Sequence, residues 1–211
     1  MGYCRIAVVT GGNKGIGLEI CRQLASKGVT VILTARDERR GLEAVEGLKA
    51  SGLYDIIFHK LDVVQQSSAA SLAAFIKQRF GRLDILYISN EKAFQKLGDA
   101  DGLTEDTVDE VVKEFLEDAK EDQIESKGWP KQFSAYKVSK ASINAYTRIL
   151  ANKYPNISIN AVNPGFVSTD INLHTGILPV EEGARGAIML ALMPDGGPSG
   201  QYFDRTEQST F

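Results

Sequence analysis

Residues 133–150, FSAYKVSKASINAYTRIL, set Tyr136 and Lys140 four residues apart, so that a phenol and an ammonium lie one helical turn from each other. A free tyrosine has a pKa of about 10, too high for easy proton exchange at neutral pH. A neighbouring ammonium favours the phenolate and brings exchange into range. The pair is therefore a candidate proton-transfer device. An ordinary helix face offers the same spacing, and on spacing alone that plainer reading carries more weight.

A second group with chemical potential lies near the N-terminus. TGGNKGIG places Gly11, Gly15 and Gly17 between an apolar strand and a helical stretch, with Asn13, Lys14 and Ile16 interleaved. Without Cβ atoms the backbone N–H groups can approach an anion, and the helix start adds its partial positive charge. The spacing is G-x-x-x-G-x-G rather than the general dinucleotide fingerprint. A glycine-rich turn that binds nothing is the competing reading. Position weakens it, because the first βα turn of a doubly wound sheet is where ligands bind.

The end of the second strand bears on which dinucleotide would bind. An acidic residue there would hold a ribose 2′-hydroxyl. This chain reads LTAR, with Thr34 and Ala35 neutral and Arg36 next, and Lys14 adds a cation inside the glycine loop. Two cations and no acid at the strand end suit a 2′-phosphate, favouring NADPH over NADH. Asp37 follows directly, so local pairing by Arg36 is the alternative.

The elements that must position these groups alternate regularly. RIAVVT (5–10) and VTVILTA (29–35) read as buried strands, and YDIIFHKLD (54–62) and RLDILYI (82–88) as a third and a fourth strand, with amphipathic helices between them. Strand and helix at this period predict a doubly wound parallel α/β sheet with right-handed crossovers. After Ile88 the rhythm breaks into an acidic helical stretch whose apolar stripe is Val108, Val111, Val112, Phe115 and Leu116. The Tyr136 helix follows, with Val138, Ala145, Tyr146 and Ile149 opposite the face of Tyr136, Lys140, Ile143 and Thr147. ISINAVNPG (157–165) reads as a strand, VEEGARGAIMLALM as a final helix and GQYF as an edge strand. No linker or repeat divides the chain, so residues 1–211 are expected to be one domain.

Composition narrows the function classes. A net charge of -3 gives no electrostatic reason to expect a nucleic-acid or anionic-membrane partner. Two cysteines, Cys4 and Cys21, are too few for a disulfide framework, and the two histidines stand far apart, so no metal cluster is expected. No apolar run reaches 18 residues, and MGYCRIAVVT lacks signal-peptide and myristoylation patterns, which predicts a soluble cytoplasmic protein.

The glycine loop, the Tyr136/Lys140 pair and NPGFVSTD (163–170), in this order, resemble the short-chain dehydrogenase/reductase family. VVTGGNKGIGLEICRQLA, VILTARDE, SAYKVSKASINAYTRILA, NPGFVSTDIN and GPSGQYFDR are similar to its plant carbonyl-reductase-like group, with the menthone, neomenthol and salutaridine reductases. The resemblance covers nearly the whole chain. It implies an NADP(H)-binding Rossmann-like fold and hydride transfer to a carbonyl, with Tyr136 as general acid. It also implies that Lys140 holds the nicotinamide ribose, and that the charge of oxidised nicotinamide further favours the Tyr136 phenolate. Asp62 and Val63 would meet the adenine. Pro164 and Gly165 would open the loop under the nicotinamide, with Val167 near its carboxamide and Thr169 near the phosphates. Standing alone, Pro164-Gly165 is equally an ordinary turn.

The family pattern is incomplete in one interval. After its fourth strand the family has Asn-Asn-Ala-Gly, then two helices, one with a catalytic asparagine, then a strand ending in the serine that bonds the substrate carbonyl. LDILYISNE does not fit in register, and the interval before the acidic helix lacks more than one βαβ unit. The chain thus resembles a family member with an internal deletion of a central strand and its flanking helices. Neither Ser89 nor Ser134 is expected to replace the lost serine. The first reading is an NADPH-dependent carbonyl reductase; the alternative is an impaired or inactive form that at most binds NADP(H). Because related enzymes pair through the missing helices, a monomer is expected, with a small carbonyl compound as its partner.

Overall fold

The computed structural model describes residues 5–88 and 104–210. They fall into two compact units, 5–88 with 164–191, and 104–163 with 192–210.

The first unit is an α/β layer around a four-stranded, all-parallel sheet. Its strands β1 (Ile6–Val9), β2 (Thr30–Ala35), β3 (Ile56–Lys60) and β4 (Ile85–Tyr87) lie in the order β3-β2-β1-β4. Helices α1 (Gly15–Ser26), α2 (Glu38–Ala50) and α3 (Gln66–Phe80) connect them, as the alternating pattern predicts. The chain builds outward from β1 to β3 and then returns to the other side of β1, so the topological switch lies between β1 and β4. The glycine loop leaves the carboxyl end of β1 at that switch. Val8 and Ile32 are fully buried, and Ile6, Leu61, Leu72 and Ile76 complete the cluster beneath α3. Arg79 stacks its guanidinium over the rings of Phe75 and Phe80.

The later part of this unit carries a 3-10 turn (Asp170–Asn172) and α6 (Val180–Ala191), which packs against α1. The approach is close because α6 offers small residues, with Gly183, Ala184, Gly186 and Ala187 all buried. A Cβ on Gly183 would lie 2.5 Å from Cγ2 of Val167.

The second unit contains α4 (Glu105–Lys120), α5 (Ser134–Lys153) and the strands β5 (Ala161–Asn163), β6 (Tyr202–Asp204) and β7 (Glu207–Ser209). Val108 of α4 packs on Ala141 and Ala145 of α5, and Phe115 packs on Trp129 and Val138. Leu116 is half exposed and lies outside this contact, because the seam narrows to Val108, Val111, Val112 and Phe115. The buried Asp118 carboxylate accepts a hydrogen bond from the Trp129 indole N–H at 2.8 Å, which meets the need for an acceptor at a buried indole.

The three strands form a separate ladder, β5-β6-β7, with β5 and β6 parallel and β6 and β7 antiparallel. GQYF is therefore not an edge strand: β6 lies between two neighbours. The extra strand β7 is reached through a two-residue turn with Arg205 at φ 58°. The predicted strand from Ile157 starts only at Ala161. Before it, the Ser199 hydroxyl and the Asn160 side chain bridge residues 157–160 to 198–201, replacing a regular ladder. Among the described residues β4 pairs with β1 and β5 with β6.

Candidate active site

The cofactor residues expected from sequence, apart from Tyr136 and Lys140, all lie in the first unit. Lys14 is the extended N-cap of α1, and the first helical bond runs from Leu18 N–H to the Lys14 carbonyl. The N–H groups of Gly15, Ile16 and Gly17 precede that bond and have no acceptor within the helix. Gly15 has φ 54°, a conformation that a side chain resists. A Cβ on Gly17 would stand 2.4 Å from the Gly11 carbonyl oxygen. The turn is thus folded tightly on itself with free backbone donors at its crest, an arrangement that fits a pyrophosphate. Asn13 and Ile16 flank it, both half-buried.

The end of β2 is arranged for a second anion. Arg36 is exposed and makes no ion pair or hydrogen bond among the described residues. Asp37, the possible local partner, turns the other way. Its carboxylate caps α2 by accepting the Arg40 N–H at 3.0 Å, and the Arg40 guanidinium stands 3.7 Å away. That backbone bond, with Arg40 and Arg39 nearby, holds the Asp37 carboxyl below its ordinary pKa. The strand end is therefore left with a cation.

At the end of β3, the Asp62 carboxylate accepts the Val64 N–H at 3.2 Å in a local turn, while Val63 presents its side chain to solvent. After β5, Pro164 leads into Gly165 at φ 81°, whose carbonyl accepts the Val167 N–H at 3.1 Å. Val167 is buried on Gly183, and its carbonyl accepts from the Asn172 amide at 2.8 Å. Thr169 reaches the glycine turn: a Cβ on Gly15 would be 3.5 Å from its methyl carbon. Beside it, the Asp170 carboxylate accepts from the Lys14 ammonium at 2.8 Å and lies 3.2 Å from His174 Nε2. The Lys14 hydrogen bond, then its charge, lowers the Asp170 pKa.

Tyr136 and Lys140 lie on α5, in the second unit. The aliphatic stripe of α5 packs on α4, and Lys140, on the opposite face, is only 3 % exposed. Its start is irregular. Phe133 adopts a left-handed conformation, φ 55°, that is unusual for a bulky residue, and its exposed ring stands 6.3 Å from the Tyr136 ring. Ser134 donates its hydroxyl to the Pro130 carbonyl at 2.7 Å. Ser89 lies outside the described residues.

Comparison with known proteins assigns the family. The short chain dehydrogenase family model matches residues 5–115. A protein named short-chain dehydrogenase/reductase 1 from Saponaria officinalis is 42% identical over 98% of this chain and 96% of its own. The chain belongs to the short-chain dehydrogenase family. A (+)-neomenthol dehydrogenase from Capsicum annuum is 40% identical, with 98% of each chain covered. The structure of salutaridine reductase from Papaver somniferum superimposes with a TM-score of 0.89 at 36% identity, covering 95% of this chain and 99% of that one. The Saponaria alignment runs over 290 positions against 211 residues here, at least 79 more than the chain contains. With both proteins covered almost end to end, the relative holds internal sequence that this chain lacks.

Two neighbours of the family residues escape sequence reasoning. Asp170 is 156 residues from Lys14, and only the fold brings them together. Phe133 lies three residues before Tyr136, but no residue pattern predicts a left-handed phenylalanine at a helix start. Among the described residues, no cluster could hold a metal ion, and no helix is long and apolar enough to cross a membrane.

Proposed function

We propose that this chain is an NADPH-dependent carbonyl reductase that converts a ketone or aldehyde to an alcohol. The observation that carries the reading is the pairing of a glycine turn, whose N–H donors have no helical partner, with an uncommitted Arg36 at the end of β2. Gly11, Asn13, Gly15, Ile16 and Gly17 hold the pyrophosphate with Thr169, while Lys14 and Arg36 take the 2′-phosphate. Asp62 and Val63 border the adenine, and Pro164, Gly165 and Val167 border the nicotinamide. The reduced cofactor supplies, when bound, a hydride for a carbonyl carbon.

The chain's own acid–base chemistry then falls to α5. Tyr136 donates its phenolic proton to the carbonyl oxygen as negative charge develops there, and the Lys140 ammonium stabilises the phenolate left behind. Lys140 also holds the nicotinamide ribose. Burial of Lys140 suits this role, since a charge interaction strengthens where water is excluded. On this reading residues 1–211 work as one dinucleotide-binding domain, in the cytoplasm and as a monomer, acting on a small carbonyl compound. The similar proteins named above are dehydrogenases and reductases, and the inactive alternative finds no support in them.

Steady-state oxidation of NADPH in the presence of monocyclic terpenoid ketones tests the proposal. Turnover with NADPH well above that with NADH is expected. No turnover across ketones and aldehydes, or a preference for NADH, would overturn it. Sedimentation checks the monomer separately, and a tight dimer would remove that part.

A further inference from the structure

Arg36 and Lys14 differ in one respect that bears on cofactor choice. Arg36 has no counter-ion among the described residues, whereas the Lys14 ammonium is held by the Asp170 carboxylate at 2.8 Å. Both members of that pair are 58 % exposed, so the contact can open without unfolding anything around it. Asp170 also stands 3.2 Å from His174, and its neighbour Thr169 is tied to Asn172, so the carboxylate is held in place from its own side. No bond to the backbone depends on it among those described. Asp170 is thus a fixed anion at the cation that a 2′-phosphate would need.

We propose that Asp170 is a specificity-determining residue that competes with the cofactor's 2′-phosphate for the Lys14 ammonium, an inference resting on the reading that Lys14 and Arg36 receive that phosphate. Two like charges cannot share one ammonium at full strength, so a 2′-phosphate displaces the carboxylate or binds beside it against repulsion. A dinucleotide without the 2′-phosphate meets no such conflict. Asp170 therefore narrows the preference for NADPH over NADH below what the two cations alone would give. It also ties the 169–178 segment to the glycine turn when no 2′-phosphate is present.

Calorimetric titration of the full chain with NADPH, NADH and adenosine 2′,5′-bisphosphate tests this without using turnover. In Asp170→Asn, which keeps the size of the side chain, affinity for NADPH and for the bisphosphate should rise by up to about fivefold, the scale of an exposed ion pair. Affinity for NADH should stay constant, and the gain should shrink at high salt. In a Lys14→Met background the same substitution should change nothing, because the contested ammonium is gone. An unchanged or weakened NADPH affinity in Asp170→Asn, or an equal rise for NADH, overturns the proposal. If instead Lys14→Met and Arg36→Gln both leave NADPH binding unchanged, the underlying 2′-phosphate reading has failed, and the competition with it. If those two weaken NADPH binding while Asp170→Asn has no effect, only the competition fails.

Discussion

In the first unit the groups around the glycine turn are mostly backbone, and their places are set by what cannot fit: a Cβ on Gly17 would sit 2.4 Å from the Gly11 carbonyl oxygen. In the second unit the proposed chemistry rests on two side chains, Tyr136 and Lys140, carried by a twenty-residue helix that packs against α4. A backbone site cannot lose a group without losing its shape. A side-chain site can lose one oxygen and keep its fold. The two regions should therefore fail differently, the first in binding and stability together, the second in chemistry alone.

The largest expected effect is at Tyr136. Tyr136→Phe should lower the reductase rate by about 10²–10⁴-fold, the usual contribution of a positioned general acid, with NADPH affinity kept within about twofold. Rate and affinity measured on one preparation check this, and a parallel loss of both would erase the distinction between the regions. Next is Gly17→Ala. Its methyl must push the turn apart, which should cost about 1–3 kcal/mol of stability and weaken NADPH binding in step, read by denaturant unfolding and calorimetry.

Arg36→Gln divides the first region further. It removes a charged donor without disturbing the fold, so NADPH affinity should fall about tenfold while NADH affinity holds. Stability on the second side is tested by Asp118→Ala, which removes the acceptor of the Trp129 indole and should cost about 1–3 kcal/mol. Trp129 is the sole tryptophan of the chain, so its fluorescence reports this unfolding directly.

The smallest effect concerns Glu19 in α1. Burial pushes its carboxyl up, but hydrogen bonds from Arg22 and Gln23, with the Arg22 charge, outweigh this and leave it below its ordinary value. A carboxyl depressed in the folded state contributes stability above its unfolded pKa of about 4.3 and loses it as pH falls through the folded value. Thermal melts from pH 7 into the acid range should show a smaller acid-side decline in Glu19→Gln than in the native chain. An identical decline would remove Glu19 from the account.

Much of the first region was legible because its signals are local. Short apolar runs placed β1 to β4 and period-3.6 patterns α1 to α3, and Gly11, Gly15 and Gly17 marked the turn after β1. Legibility ended where geometry depends on distant partners. The ISINAV strand shortens because Ser199 and Asn160 redirect its bonds, and β7 escaped because EQS has no apolar alternation. Leu116 fits the α4 stripe by spacing yet stays half exposed, because α5 meets only the narrower seam. The Lys14–Asp170 contact had no sequence signal: Lys14 reads as a cation of the glycine loop, and nothing pairs it with a carboxylate 156 residues on until the loop after β5 folds back.

The most direct test is a single-turnover experiment on the chain loaded with NADPH and mixed rapidly with a cyclic ketone, following nicotinamide fluorescence. The account predicts loss of the reduced-nicotinamide signal in the native chain and its persistence in Tyr136→Phe bound to the same cofactor. A native complex that forms tightly with NADPH but leaves it reduced whatever carbonyl is added would contradict it, leaving a binding protein in place of a reductase.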